Sequence, residues 1–205
     1  MKLPNPFWTL ETPLANFVGL YTNVPEGGEV RDDQRAWLVG ELKHAARDAS
    51  KALFLCLHHP VFSADTYHSG SPAMKELVDA AIKESGAHPD IVFTAHVHNY
   101  QRFTRTANDQ QFTYIVAGAG GYWRMHTVAE FMGAKVTPPF RQTDDPEVVL
   151  ENYVDDTHGF MRVEIEDDLI TARYISVARS HEPPETPPRV ADLFQVKFKP
   201  NKLVR

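Results

Sequence analysis

The sequence predicts an α/β fold, an α+β mixed sheet with flanking helices. Two short apolar runs, 53–57 and 91–94, each stop at histidines, and a helix-like segment lies between them. Runs of that kind read as strands buried on both faces. Further on, 111–117 reads as another strand, and 158–177 alternates like an antiparallel pair.

Each element has its own signal. Residues 16–21 read as a strand, and the turn residues Pro25 to Gly28 follow. Asp32 and Asp33 offer an N-cap for a helix to about Arg47, with Lys43, His44 and Arg47 where the helix dipole favours cations. Trp37, Leu38 and Leu42 have core-facing spacing. After strand 53–57, the loop 58–71 is rich in His, Ser, Gly and Asp. Ser71 and Pro72 open a second helix, with Pro at the first helical position, and Gly86 stops it. Strand 111–117 ends in the cluster Gly118, Gly120 and Gly121, which reads as a structural turn. Residues 122–147 read as irregular, and the 158–177 pair turns at Asp167 and Asp168 as a solvated hairpin. One domain covers 1–178; the Pro-rich tail 179–205 carries one possible edge strand.

Composition narrows the function. A chain of 205 residues with 42% hydrophobic and 23% charged residues is long enough for a real core. A net charge of -6 gives no electrostatic footprint for nucleic acid. No stretch has the length of a membrane span, and the first eight residues lack the apolar region of a signal peptide. Cys56 is the single cysteine; it sits in an apolar run and reads as a small buried hydrophobe.

The ten histidines are the compositional excess, and their placement carries the chemistry. Strand 53–57 runs into His58, His59 and Pro60, and strand 91–94 into Ala95, His96, Val97 and His98. Parallel strands put their C-terminal ends at one sheet edge, where open α/β sheets place their sites. His58, His96 and His98 are therefore candidate metal ligands, because imidazole is the usual borderline donor for zinc, iron and related ions.

The segments H-H-P-V-F-S from His58, A-H-V-H-N-Y-Q-R-F from Ala95 and Y-I-V-A-G-A-G-G from Tyr114 resemble the calcineurin-like metallophosphoesterases, most closely the purple acid phosphatase branch. The resemblance covers roughly residues 10 to 178. It implies the C-terminal part of the metallophosphoesterase β-sandwich and a two-metal site that hydrolyses phosphate esters. His58 and His96 would serve one ion and His98 the other, with zinc, iron or manganese as the metal. His68, ten residues past His58, matches a substrate-contacting histidine and would act as phosphate contact or proton donor. His59, Arg102 and Arg124 are further candidates for binding a small phosphate ester.

The chain departs from that pattern. It has no G-D-x-x-D and no G-N-H, and its one D-x-H, Asp156 to His158, precedes a strand and reads as a turn. Ala95 replaces the first glycine of G-H-x-H. Asp65 is the acid nearest the site, and it reads as a loop cap. The family's first sheet comes largely from its N-terminal motifs, so the expectation is an uncovered apolar sheet face and association into a homo-oligomer or with a complementing chain. Two functions follow: metal-dependent phosphate-ester hydrolysis, or a non-catalytic phosphoesterase part that binds metal and self-associates.

Overall fold

The computed structural model describes residues 6–22, 29–107, 110–141, 145–179, 181–183 and 185–198, and the backbone of 201–204. The expected turn at Pro25 to Gly28 lies outside the described residues. Strands β1 (Trp8–Glu11) and β2 (Ala15–Gly19) lead into helix α1 (Asp32–Ala45). Strand β3 (Ala52–Cys56), helix α2 (Pro72–Ser85) and strand β4 (Ile91–Thr94) follow. Next come β5 (Tyr100–Ala107), β6 (Gln110–Ala117) and three two-residue strands, β7 (Glu130–Phe131), β8 (Ala134–Lys135) and β9 (Phe140–Arg141). The described chain ends with β10 (Val148–Val154), β11 (Gly159–Glu166), β12 (Leu169–Ser176), β13 (Arg189–Phe198) and β14 (Asn201–Val204).

One sheet has eight strands in the order β1-β2-β3-β4-β6-β5-β10-β9. Its centre, β2 through β4 to β6, is parallel, and the outer pairings are antiparallel. Strand β3 shows why its run is apolar throughout. Leu53 and Leu55 pack with Leu38 and Leu42 of α1 and Met74 and Leu77 of α2. Ala52 and Phe54 point into a second core on the opposite face.

That second core overturns the expected bare face. Strands β11 to β14 form a four-stranded antiparallel sheet, and its Ile170, Ala172, Tyr174, Phe194, Val196 and Phe198 cover Phe54, Ile91, Tyr100 and Ile115. The premise for self-association through this face therefore fails. The physical reason is alternation: β12 is buried at every second residue, and β13 buries Asp192, Phe194, Val196 and Phe198. The tail expectation changes with it. Strand β13 pairs on both sides, with β12 and β14, so it is an inner strand and not an edge.

The sheets are also joined by polar groups. The Arg102 guanidinium donates to Asp192 on β13 at 2.7 and 3.2 Å, and the Tyr100 hydroxyl donates to the same carboxylate at 2.7 Å. Tyr100 stacks on Tyr174 at 4.2 Å. Helix α1 starts at Asp32 with Arg31 at the N-cap and no side-chain cap bond, so the two acids act in the first turn and not as caps. No helix among the described residues is long and apolar enough to cross a membrane.

Candidate metal and phosphate site

The site begins where β2, β3 and β4 stop. Beyond the strands the backbone stays in register: Leu57 N–H donates to Phe93 O, and Ala95 N–H to His58 O. His58 and His96 therefore leave the sheet together. Buried Thr22, past the end of β2, closes the third side. Its hydroxyl accepts from the backbone N–H of His58 at 3.0 Å and of His59 at 3.2 Å.

The rings then converge. His58 Nε2 lies 3.0 Å from His96 Nδ1. His58, His59 and His96 each present a ligand atom within 4.8 Å of the others. His96 turns its ring inward by taking φ 59°, in the left-handed region that histidine enters more readily than most residues. This also explains why Ala95 is accepted in place of glycine. Among the described residues, the positive φ of this turn falls on His96 and not on Ala95.

The donors suit a metal ion. Burial, then the neighbouring His59 and His98, push the His58 pKa below its usual value and keep the ring neutral. His59 is buried, and its Nδ1–H donates to the Thr22 carbonyl at 2.7 Å. Metal-binding histidines are commonly oriented by such a bond from the other ring nitrogen. Two nitrogens held tetrahedrally at about 2.0–2.1 Å from zinc lie roughly 3.3 Å apart, near the 3.0 Å between His58 Nε2 and His96 Nδ1.

A second group of rings lies beside the first. His98 Nδ1–H donates to Arg124 O at 3.1 Å, and the ring lies 4.2 Å from Tyr122 and 4.6 Å from His126. His68 joins the two groups, 4.7 Å from His96 and 5.2 Å from His126 between ring centroids. The loops that carry these residues are zipped together. Ala129 N–H donates to Ala64 O, Thr66 N–H to Thr127 O, and Asp65 bridges to Val128.

His126 is nine-tenths buried, and 122–129 carries no periodicity by which the sequence would place it at the site. Burial lowers its pKa first, Asp65 opposes this, and His98, His68 and Arg124 add to the lowering. Its Nδ1 is 3.4 Å from Asp65 Oδ2, close enough for charge attraction but not aligned as a hydrogen bond. Asp65 itself is used by its loop. Its Oδ2 accepts from Tyr67 N–H and His68 N–H at 2.9 and 2.8 Å, and its Oδ1 from Asn99 at 3.4 Å.

The remaining candidates separate. Arg124 stays near the cluster, over the Tyr67 ring at 5.4 Å. Arg102 does not: its buried guanidinium is paired with Asp192 and lies over Phe194, which commits it to the join between the sheets. Asp156 and Thr157 form a bend, and His158 Nε2–H donates to Tyr122 O at 2.7 Å, so this D-x-H supports the Tyr122 loop.

Comparison with known proteins agrees with this architecture. No protein-family model matches the chain. Probable purple acid phosphatase 20 of Arabidopsis thaliana is 30% identical over 154 residues, covering 72% of this chain and 32% of that protein. Purple acid phosphatase 18 of the same plant is 33% identical over 113 residues, 52% of this chain and 24% of that protein. The chain thus spans about a third or less of these relatives. Among solved structures, the purple acid phosphatase PPD1 of yellow lupin superposes with a TM-score of 0.66 at 16% identity, over 96% of this chain and 34% of that one. PhoD superposes with a TM-score of 0.64 at 16% identity, over 97% and 44%. These structural matches show the shared fold.

Proposed function

For a chain that is a relative of the purple acid phosphatases and carries the C-terminal part of the metallophosphoesterase fold, we propose metal-dependent hydrolysis of small phosphate esters. The observation that carries this reading is the convergence of His58, His59 and His96 where the parallel strands end. His58 and His96 would hold a transition metal, with His98 as the further ligand the resemblance implies. Such an ion supplies positive charge that polarises a phosphoryl oxygen and acidifies water. In the hydrolysis, water adds to phosphorus, the P–O bond to the alcohol breaks, and the alcohol leaves with a proton. His68, between the two ring groups, would meet the phosphate or its leaving oxygen. Arg124, beside Tyr67 at the rim, would contact the phosphate anion, and His59 would line the site.

One observation favours the non-catalytic reading. Asp65, the acid in contact with the cluster, already spends both oxygens on its own loop and Asn99, so it offers little to bridge two ions. Turnover of p-nitrophenyl phosphate decides between the two. The expected result is hydrolysis that EDTA abolishes and that His96→Ala lowers by more than about 100-fold, beyond the 10–100-fold cost of changes outside the ligand shell. Bound metal without turnover would establish the non-catalytic reading. Turnover that survives both treatments would refute a metal mechanism.

A further inference from the structure

We propose that the cleft between helix α2 and the β5–β6 hairpin, at the end of the sheet opposite the histidine cluster, binds a small planar aromatic carboxylate. The proposal goes beyond the hydrolysis reading and does not rest on it.

The cleft follows from how its elements meet. Strand β4 runs parallel to β6, with Ile91 opposite Thr113 and Thr94 opposite Val116. The histidines follow the end of β4, so the start of β6 lies at the other end of the sheet. Phe112 and Tyr114 share one face of β6, and Arg105, paired with Phe112, shares a face of β5 with Ala107. Asp79, Ile82 and Lys83 fall at the spacing of one face of α2 and look onto these strands. The helix stops at Gly86, where an added Cβ would meet nothing within 4 Å. Together with His88 these residues enclose about 500 Å³. A volume of that size takes a small organic molecule and not a lone ion.

The walls select a flat ring. Phe112 and Tyr114 form a nearly buried floor, flanked by the half-buried Ile82 and Ala107. The His88 ring lies 5.3 Å from that of Phe112. Burial lowers the His88 pKa, so the ring is neutral and adds an aromatic wall, not a charge. The charges select an acid. Asp79 is offset by Arg105 at 2.6 Å and Lys75 at 3.4 Å, and Glu147 also pairs with Arg105. Lys83 is exposed and has no ion-pair partner among the described residues. Arg105 spends Nε on Glu147 and Nη1 on Asp79, which leaves Nη2 to donate. A carboxylate on the bound ring would meet Lys83 and this nitrogen.

Calorimetric titration of the full chain with 2-naphthoate, in EDTA so that no metal takes part, tests this. One molecule should bind per chain, with a Kd below about 1 mM. The amide 2-naphthamide, which keeps the rings and lacks the charge, should bind at least about fivefold more weakly. Lys83→Met, at an exposed position where folding is unaffected, should cost 2-naphthoate a similar factor and leave 2-naphthamide unchanged. Ala107→Trp fills the cleft and should abolish binding, with the melting temperature as the check on folding. No binding by the wild type, equal binding of acid and amide, wild-type affinity in Lys83→Met, or binding retained by folded Ala107→Trp would each overturn the assignment. Should Ala107→Trp fail to fold, Lys83→Met and the amide decide alone.

Discussion

A Cβ placed on Gly118 would lie 1.8 Å from the carbonyl oxygen of Val97, in the middle of the His96–His98 turn. The two backbones touch there because Gly118 N–H donates to Asn99 O at 3.0 Å and pins the turn to the end of β6. Gly118→Ala must push them apart, and a flexible side chain cannot absorb the change. The expected cost is about 1–3 kcal/mol, the range for forced overpacking, read by chemical denaturation. Metal affinity should fall as well, since His96 moves with the turn. Unchanged stability would show that the turn is looser than its geometry. The glycine cluster was legible in the sequence as a turn, but its role was not, because the contact joins residues twenty-one positions apart in the chain. The strand-end histidines were legible for the opposite reason: each follows directly on its own apolar run. His126, Thr22 and the Asp65 contacts reach the site from segments without regular periodicity, so no local pattern announced them.

Elements whose ends carry chemical signals were the readable ones. Helix α2 matches its expected bounds, 72–85, because both ends are marked. Ser71 Oγ accepts from Met74 N–H at 3.2 Å, Pro72 opens the first turn, and Gly86 closes the helix at φ 71°. Ser71→Ala removes the cap and should cost about 1 kcal/mol, within the 0.5–2 kcal/mol range for such caps, as a lower denaturation midpoint. An unchanged midpoint would mean that α2 is held by packing alone. Strand β5 was not readable, since Gln101, Arg102 and Thr104 look like surface residues and are buried. Gln101 is satisfied by Asn99 two residues away and by the distant Ala64 N–H, and Arg102 by the distant Asp192, so these two polar residues are acceptable inside a sheet. Reactivity follows burial too. The Cys56 thiol, at the end of β3, is half-buried, not fully buried as expected, and burial pushes it up to about 11.

At the scale of the molecule, the second sheet converts an expected associating surface into a core, and Asp192 is the polar pin between the layers. The prolines at 183, 187 and 188 made the last segment look like a tail, although Phe194, Val196 and Phe198 alternate as a sheet face requires. Asp192 accepts from Arg102 and Tyr100 where all three are buried. Asp192→Ala leaves the Arg102 charge without its partner and should cost about 3–5 kcal/mol, the usual range for breaking a buried pair. The acid limb of stability tests the same pair. Burial pushes the Asp192 carboxyl up, but the hydrogen bond and charge of Arg102, with help from Tyr100, outweigh it and hold the group below its ordinary value of 3.8. A carboxyl whose folded pKa is lowered contributes fully above that ordinary value. Its contribution fades as pH falls from there through the folded pKa. Denaturation midpoints of the wild type should therefore decline on acidification below about pH 4, and Asp192→Ala should decline less steeply there, because that contribution is already gone. Parallel acid limbs in the two proteins would show that the pair is not the acid-sensitive link between the sheets.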